Sequence, residues 1–466
     1  MEEKIRVGIP SYDESKLDRT TYNPEVLDVV NLISEPLIRL YDGKVWPALA
    51  RSWQVFQKGR RWLFYIPQNT LFNDSTPCTV ADVVESIEYM KNTVDDRGNT
   101  SSYLRYLQGV EFNILNRYAL EVISPTPSGD MAEILSCIPI LKPNRLGKRI
   151  VGTGSYKYSN YWANKSIRLN KLNGLKYLSA YKQITFFVEP DPQKRLEMLR
   201  KGDVHIVSGL NDIPRSEQND GNLWWECRLN QSVMGMLNGY RAPFNDPLAR
   251  RAVNLAVDSM HIINTLLDGH ARMSSSVVSP YHCGCSSPLA PIPYEPDEAR
   301  RLFSKVDTSE EVVITAAKGY PKESFALADM VAQYLEDVGL KVRVDHYEDE
   351  NEYYNKVSEG NLGDIMIMHT MNSSTYRLLR DTIDCENPGP MWQGVKDDEV
   401  QRLIREANVE SDITDRERRY AKVITHLNRN PHWLYLYHPS AVFASHPDVN
   451  DVETLHSGVF RFPGAW

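Results

Sequence analysis

The chain has 466 residues, with 53 Lys and Arg against 61 Asp and Glu and a formal charge of −8. That acidic balance argues against a nucleic-acid partner, which calls for a basic face, and no apolar run approaches the roughly 20 residues that span a bilayer. With 42% hydrophobic and 24% charged residues, the composition is that of a globular protein too long for one ordinary core, so two or three lobes are expected.

In chain order, residues 5–9 alternate as a strand. Arg61 to Ile66 is an aromatic, apolar run suited to a pleated surface. Asn73-Asp74-Ser75 with Pro77 supplies turn formers. Thr79 then stands as an N-cap with Asp82 three residues on, opening an amphipathic helix through Met90. Residues 110–123 read as two strands about a turn at Asn116-Arg117. In Val151-Gly152-Thr153-Gly154-Ser155-Tyr156 the two glycines suggest a tight backbone turn. A phosphate loop is excluded, since there is no third glycine and no Gly-Lys-Ser/Thr. A strand at 184–188 precedes Asp191-Pro192, N-cap and first position of a helix that stops at Gly202. Asp203 to Ile206 starts the next strand, with His205 read as a strand-face residue.

Asp246 and Pro247 cap another helix, on which Leu248, Ala252, Leu255 and Ala256 recur at core spacing. Arg250 and Arg251 read as its solvated or ion-paired face. Residues 311–368 give strand, helix, strand, helix, strand. Phe325, Ala328, Val331, Leu335 and Val338 share one helix side, and Gly339 ends that helix. This spacing implies right-handed crossovers in an open α/β sheet, whose ligands bind beyond the carboxyl ends of the strands. Helices at 397–408 and 414–429 and a strand at Trp433 to His438 complete the chain. No internal repeat or low-complexity linker appears, so the lobes are expected to interleave.

Several stretches carry a resemblance beyond these local patterns. They are Glu35-Pro36-Leu37, Trp46-Pro47-Ala48-Leu49-Ala50-Arg51-Ser52-Trp53, Trp62 to Ile66, Leu71-Phe72-Asn73-Asp74, and Thr79-Val80-Ala81-Asp82-Val83 with Ser86. Their order and spacing resemble the N-terminal signature of the extracytoplasmic solute-binding proteins that feed peptide, nickel and opine ABC importers (solute-binding protein family 5, akin to the oligopeptide- and dipeptide-binding proteins). The Gly152-Thr153-Gly154 hairpin, with Ser155 where proline is usual, resembles the same family. So do Asn238 with Pro243-Phe244 through Asp258, and the Tyr435-Leu436-Tyr437-His438 strand.

The resemblance implies an α/β, two-lobe periplasmic-binding-protein fold (type II, cluster C-like) with a hinge. Lobe I would comprise 1–42, 152–240 and 433–466, with an inserted subdomain at 43–151, and lobe II would be 241–432. The implied function is a receptor that closes by hinge motion on a small peptide-like, opine-like or chelate-like solute, or a sugar conjugate, and delivers it to ABC permease subunits. No cofactor, no resident metal and no nucleic acid are expected, and the protein is expected to be a monomer. Neither a nucleophile elbow nor His-Glu-x-x-His nor a P-loop occurs, so no enzyme is expected. The alternative is the solute-sensing domain of a cytoplasmic transcription regulator. The implied location is periplasmic, or extracellular and membrane-anchored. Since Met1-Glu2-Glu3-Lys4 is no signal peptide, that leader would be absent from this sequence.

Six cysteines allow 15 connectivities. His282-Cys283-Gly284-Cys285 lacks the second cysteine pair of a structural zinc site. In the oxidising compartment that the resemblance implies, Cys283 or Cys285 is expected to bridge to Cys385, with free thiols the alternative.

In peptide-binding members the strand matching Asp364–Met368 leads to an aspartate that holds the peptide ammonium. Here its place falls at about Asn372 or Ser373, and no acidic residue occurs between Asp364 and Asp381. Peptides with free N-termini are therefore expected to bind weakly. The candidate ligand contacts are Tyr22, Asn238, His369, Met371, Asn372, Ser373 and Trp392, with Arg105 and Arg241 as carboxylate partners.

Overall fold

The computed structural model describes residues 3–13, 23–41, 44–94, 100–142, 150–173, 179–282, 289–358, 362–370, 374–386, 392–410, 412–449 and 451–465. The chain forms two compact units. Unit 1 comprises Met1–Cys227, Asn408–Ile413 and Ala441–Trp466, and unit 2 comprises Arg228–Ala407 and Thr414–Ser440. They interleave in sequence. The divisions fall at Cys227/Arg228, Ala407/Asn408, Ile413/Thr414 and Ser440/Ala441, the first and last of them where 240/241 and 432/433 were expected. The reason is strand pairing: Ser232 to Leu237 and the start of the last long strand are bonded within unit 2.

In unit 1, strand β1 (Lys4–Ile9) and helix α1 (Pro24–Ile33) come first. Asn23 caps α1, its Oδ1 accepting from the Val26 amide at 2.9 Å. Strands β2 (Ser52–Phe56), β3 (Arg61–Tyr65), β4 (Glu111–Asn116) and β5 (Ala119–Ile123) form an antiparallel sheet in the order β2-β3-β5-β4. Helix α2 (Val80–Asn92) opens at the expected cap, where the Thr79 amide and hydroxyl donate to Asp82 Oδ2 at 2.7 and 2.8 Å. Helix α3 (Ser102–Tyr106) follows it.

The main sheet of unit 1 runs β6 (Tyr156–Trp162), β7 (Ser166–Lys171), β8 (Gln183–Val188), then β1 and β9 (Ile206–Val207). β1 is parallel to both β8 and β9. Helix α4 (Pro192–Arg200) has the expected Asp191 cap and stops before Gly202, whose φ is +75°. β9 covers only the end of the strand expected from Asp203. His205 just before it accepts from the Arg6 backbone N–H at 3.2 Å.

In unit 2 the core sheet contains β10 (Ser232–Leu237), β11 (Ala271–Met273), β12 (Val312–Ala317), β13 (Val342–Tyr347), β14 (Ile365–Thr370) and the first part of β15 (Trp433–Ser445). Its order is β15-β10-β14-β12-β13, with β11 beside β15. β12 is parallel to β13 and β14, as the strand–helix–strand spacing predicts. Helix α5 is Pro247–Ala256, α6 is Ser324–Asp337, α7 is Thr375–Thr382, α8 is Asp398–Asn408 and α9 is Ile413–Arg429. Leu327, Ala328, Val331 and Leu335 of α6 pack into one apolar core with Ile314, Ile365 and Trp433. Among the described residues no helix is long and apolar enough to cross a membrane.

Three local expectations change. Gly152 and Gly154 are not in the left-handed region. They are required because a Cβ on Gly152 would stand 2.2 Å from Ile33 O and one on Gly154 2.5 Å from Leu32 O, at the end of α1. On α5, Leu248 is exposed, while Arg250 is buried and donates to the carbonyls of Phe244, Asn245 and Pro431. Its guanidinium therefore ties down backbone instead of facing solvent. Finally, Cys385 is a free thiol in place of the expected bridge. Its amide donates to Gln401 Oε1, and burial with the neighbouring Asp384 and Glu386 charges pushes the thiol pKa up. A thiol kept protonated is a poor nucleophile for disulfide exchange. Cys283 and Cys285 lie outside the described residues.

Candidate functional site

Parallel strands β12 and β14 end together in unit 2, and the sheet rule directs attention to that edge. His369 is the penultimate residue of β14. It lies opposite Val233 on β10, which in turn lies opposite Tyr437 on β15. Residues paired across strands share a face, so His369, Val233 and Tyr437 form one row. Tyr320, three residues beyond β12, sets its ring 4.3 Å from the His369 ring at a tilt of 44°.

The row is polar yet uncharged. Burial pushes the His369 pKa down to about 4, which leaves a neutral imidazole at neutral pH. Burial, with the charge of Glu323, pushes the Tyr437 phenol up. The Tyr437 hydroxyl is enclosed and has no hydrogen-bond partner among the described residues. Rings of this kind offer flat apolar faces with polar tips, the means by which a binding site grips and orients a polar molecule. Among the described residues, no group of three or more His, Cys, Asp or Glu is arranged to hold a metal ion.

The expected contacts do not all gather here. Asn238, Arg241 and Trp392 stand at the other end of the β10–β14 pair. The Asn238 amide N–H donates to Asp364 O at 2.9 Å, while His369 lies five residues further along β14, about 17 Å at the rise of a strand. Asn238 Nδ2 also donates to Gly363 O, and Trp392 Nε1 donates to Val395 O while its ring meets Tyr240 edge-on. Arg241 Nε donates to Asp364 Oδ1 at 2.6 Å, which holds the side chain at this end of the pair. Register explains the separation. Antiparallel strands place Leu237 opposite Ile365 and Ser232 opposite Thr370, so residues following β10 cannot sit beside residues following β14.

Arg105 belongs to unit 1, on α3, with its guanidinium 5.4 Å from the centre of the Tyr106 ring. Tyr22, Met371, Asn372 and Ser373 lie outside the described residues. Tyr320 and Tyr437 are the residues that motif reading passed over. The signal for Tyr437 was present in Tyr435-Leu436-Tyr437-His438, a strand in which every residue is buried.

Residues 44–376 match the family model of bacterial extracellular solute-binding proteins, family 5 Middle. The nickel-binding periplasmic protein of Escherichia coli (strain K12) is 24% identical over 92% of this chain and 88% of its own. Among solved structures, HbpA2 from Haemophilus parasuis superposes with a TM-score of 0.84 at 15% identity, covering 98% of this chain and 99% of that one. NikA from Brucella suis, in complex with Fe(III)-EDTA, gives 0.79 at 20% identity over 99% of both chains.

Proposed function

The chain belongs to the bacterial extracellular solute-binding proteins of family 5, and on that premise we propose that it is the solute receptor of an ABC importer. It captures a small polar solute outside the cytoplasmic membrane and passes it to the permease. The observation that carries this reading is the family match over residues 44–376, together with a fold shared along 99% of the chain with a solute-binding relative. An extracellular family favours this role over the sensing domain of a transcription regulator. Anchoring of the protein at the membrane, and hinge closure of its two units on the solute, belong to the same reading.

The solute presents hydroxyl, amide or carboxylate groups, as an opine, a modified peptide, a sugar conjugate or a metal chelate does. Two observations support this. Asp364 is the last acidic residue before Asp381, and both its oxygens are engaged, Oδ1 by Arg241 and Oδ2 by the Val313 amide at 2.8 Å. His369, Tyr320 and Tyr437 supply neutral polar groups instead. Mass spectrometry of small molecules released from natively purified protein tests the receptor reading. One dominant solute that raises the unfolding temperature when added back is the expected result. A protein that carries nothing, and whose unfolding no medium extract shifts, rules the reading out.

A further inference from the structure

Charge in this chain is segregated. From Ile134 to Val188 there are ten Lys and Arg and no Asp or Glu, in a chain with 61 acidic residues. This stretch carries +10, so the rest of the chain carries −18 to give −8 overall. A solvated surface normally interleaves both signs, and a block of one sign points to a partner of the other.

The main sheet of unit 1 turns part of that excess to one face. Strands β1, β8, β7 and β6 lie side by side, and residues paired across them share a face. Lys4, Gln183, Asn170 and Lys157 form one row, and Arg6, Thr185, Arg168 and Asn160 the next. A third runs from Gly8 through Phe187 and Ser166 to Trp162. The alternate residues, such as Ile5, Ile184 and Leu169, are at most 1% exposed and belong to the core. Pleating thus sorts the sheet into a buried apolar side and a cationic side with no carboxylate in its three rows. Helix α4 packs at the third row, where Phe187 meets Leu196 and Leu199. Lys4, Lys157, Asn160 and Trp162 are exposed, as is Lys165 in the turn joining β6 to β7.

The cations of this face are not neutralised from within. The Arg6 guanidinium donates to the carbonyls of Asp203 and Gly202 at 2.7 and 2.9 Å, which leaves its charge whole. The Arg168 guanidinium lies 5.5 Å from the centre of the Trp162 ring, and its Nε is enclosed with no hydrogen-bond partner among the described residues. Lys4, Lys157, Lys165 and Arg168 form no ion pair among the described residues, and Glu3 beside Lys4 is engaged by Lys182 at 2.5 Å.

We propose that this face of unit 1 is a docking surface for an anionic lipid membrane, with Lys4, Lys157, Lys165 and Arg168 toward the phosphates and Trp162 at headgroup level. Three observations favour lipid over an acidic polypeptide. The face is the broad side of four strands, about 14 Å across at the usual spacing, and matches a surface better than a single strand or helix. An exposed tryptophan beside cations is what a membrane interface favours. The acidic remainder of the chain is repelled by the same lipid, which turns this face toward it. From the receptor reading the proposal takes only the place of work, beside a membrane.

The test is partition of the full chain, with no solute added, onto vesicles of phosphatidylglycerol with phosphatidylcholine and onto phosphatidylcholine alone. Co-sedimentation at about 20 mM salt is expected with the anionic vesicles only, and about 300 mM salt should abolish it. Lys4→Gln, Lys157→Gln and Lys165→Gln should each weaken binding about fivefold, the worth of one cation at such a surface. Lys305→Gln, Lys318→Gln and Lys341→Gln in unit 2 remove the same net charge and should change binding little. All six lysines are exposed, so folding is not at stake. Equal binding to both vesicles, or equal loss from both sets of variants, overturns the proposal. So does binding to polyglutamate in place of vesicles, which assigns the face to an acidic polypeptide, or binding to neither. The receptor reading is decided separately, by the solute.

Discussion

Asp364 shows how a charged residue can be wholly absorbed by the fold. Its carboxylate is buried, with Arg241 Nε on one oxygen and the Val313 amide on the other. The Arg241 side chain is 55% exposed, so solvent screens the pair, and Arg241→Ala is expected to cost at most about 1 kcal/mol. Asp364→Ala strands a backbone N–H as well and is expected to cost about 1–3 kcal/mol more. Urea titration of both variants measures the difference, and solute affinity of Arg241→Ala should match that of the unaltered protein. Asp28 gives a pH signature. It is fully buried on α1, where desolvation pushes its pKa well above 3.8, the Phe460 amide bond opposes this and the nearby Glu25 charge adds to it. A raised folded value means that its contribution to stability is fully present below the ordinary pKa of 3.8 and is lost as pH rises through the folded value. Asn can keep the acceptor for the Phe460 amide at 2.6 Å without the charge. Asp28→Asn should therefore flatten the decline in unfolding free energy between pH 4 and pH 8, with the remaining slope due in part to Glu25, whose pKa burial also raises. An unchanged pH profile would show that Asp28 does not titrate in this way.

Helix α1 ends close against Gly152, of the Leu141–Lys142 and Val151–Gly152 strand pair, and against Gly154 just beyond it. The Gly152 and Gly154 positions lie so close to the backbone of Leu32, Ile33 and Ser34 that no side chain can yield. Gly152→Ala is expected to destabilise by about 3 kcal/mol or to prevent folding, as overpacking against backbone does. Gly202 provides the contrast. It has φ +75° and open space about it, so Gly202→Ala should cost only about 1 kcal/mol of backbone strain. Thermal melts of the two variants separate close approach from conformational freedom, and equal losses would contradict the packing account.

Across the whole molecule, solute binding should stabilise the folded chain by mass action, about 2.7 kcal/mol when the solute is at a hundred times its Kd. Calorimetry with a library of unmodified di- to pentapeptides should give no submicromolar binding, because no acidic residue follows Asp364 before Asp381 and the side chains of His369, Tyr320 and Tyr437 at the end of β14 bring no carboxylate of their own to an ammonium. A submicromolar peptide would refute that selectivity. The sequence by itself determined much of the rest. Thr79 with Asp82, and Asp191 and Asp246 each before proline, marked helix starts because capping is a local hydrogen-bond problem solved within three residues. The alternation of strand and helix from 311 to 368 marked a parallel sheet because so few connections pack. Motif order along the chain was enough to place the family. Only the tertiary structure decided which residues stand together. Register set Asn238 and His369 at opposite ends of one strand pair, and burial turned Arg250 from a surface charge into a backbone clamp. Each of these depends on groups far apart in sequence, and spacing along a chain carries no record of what the fold will bring beside it.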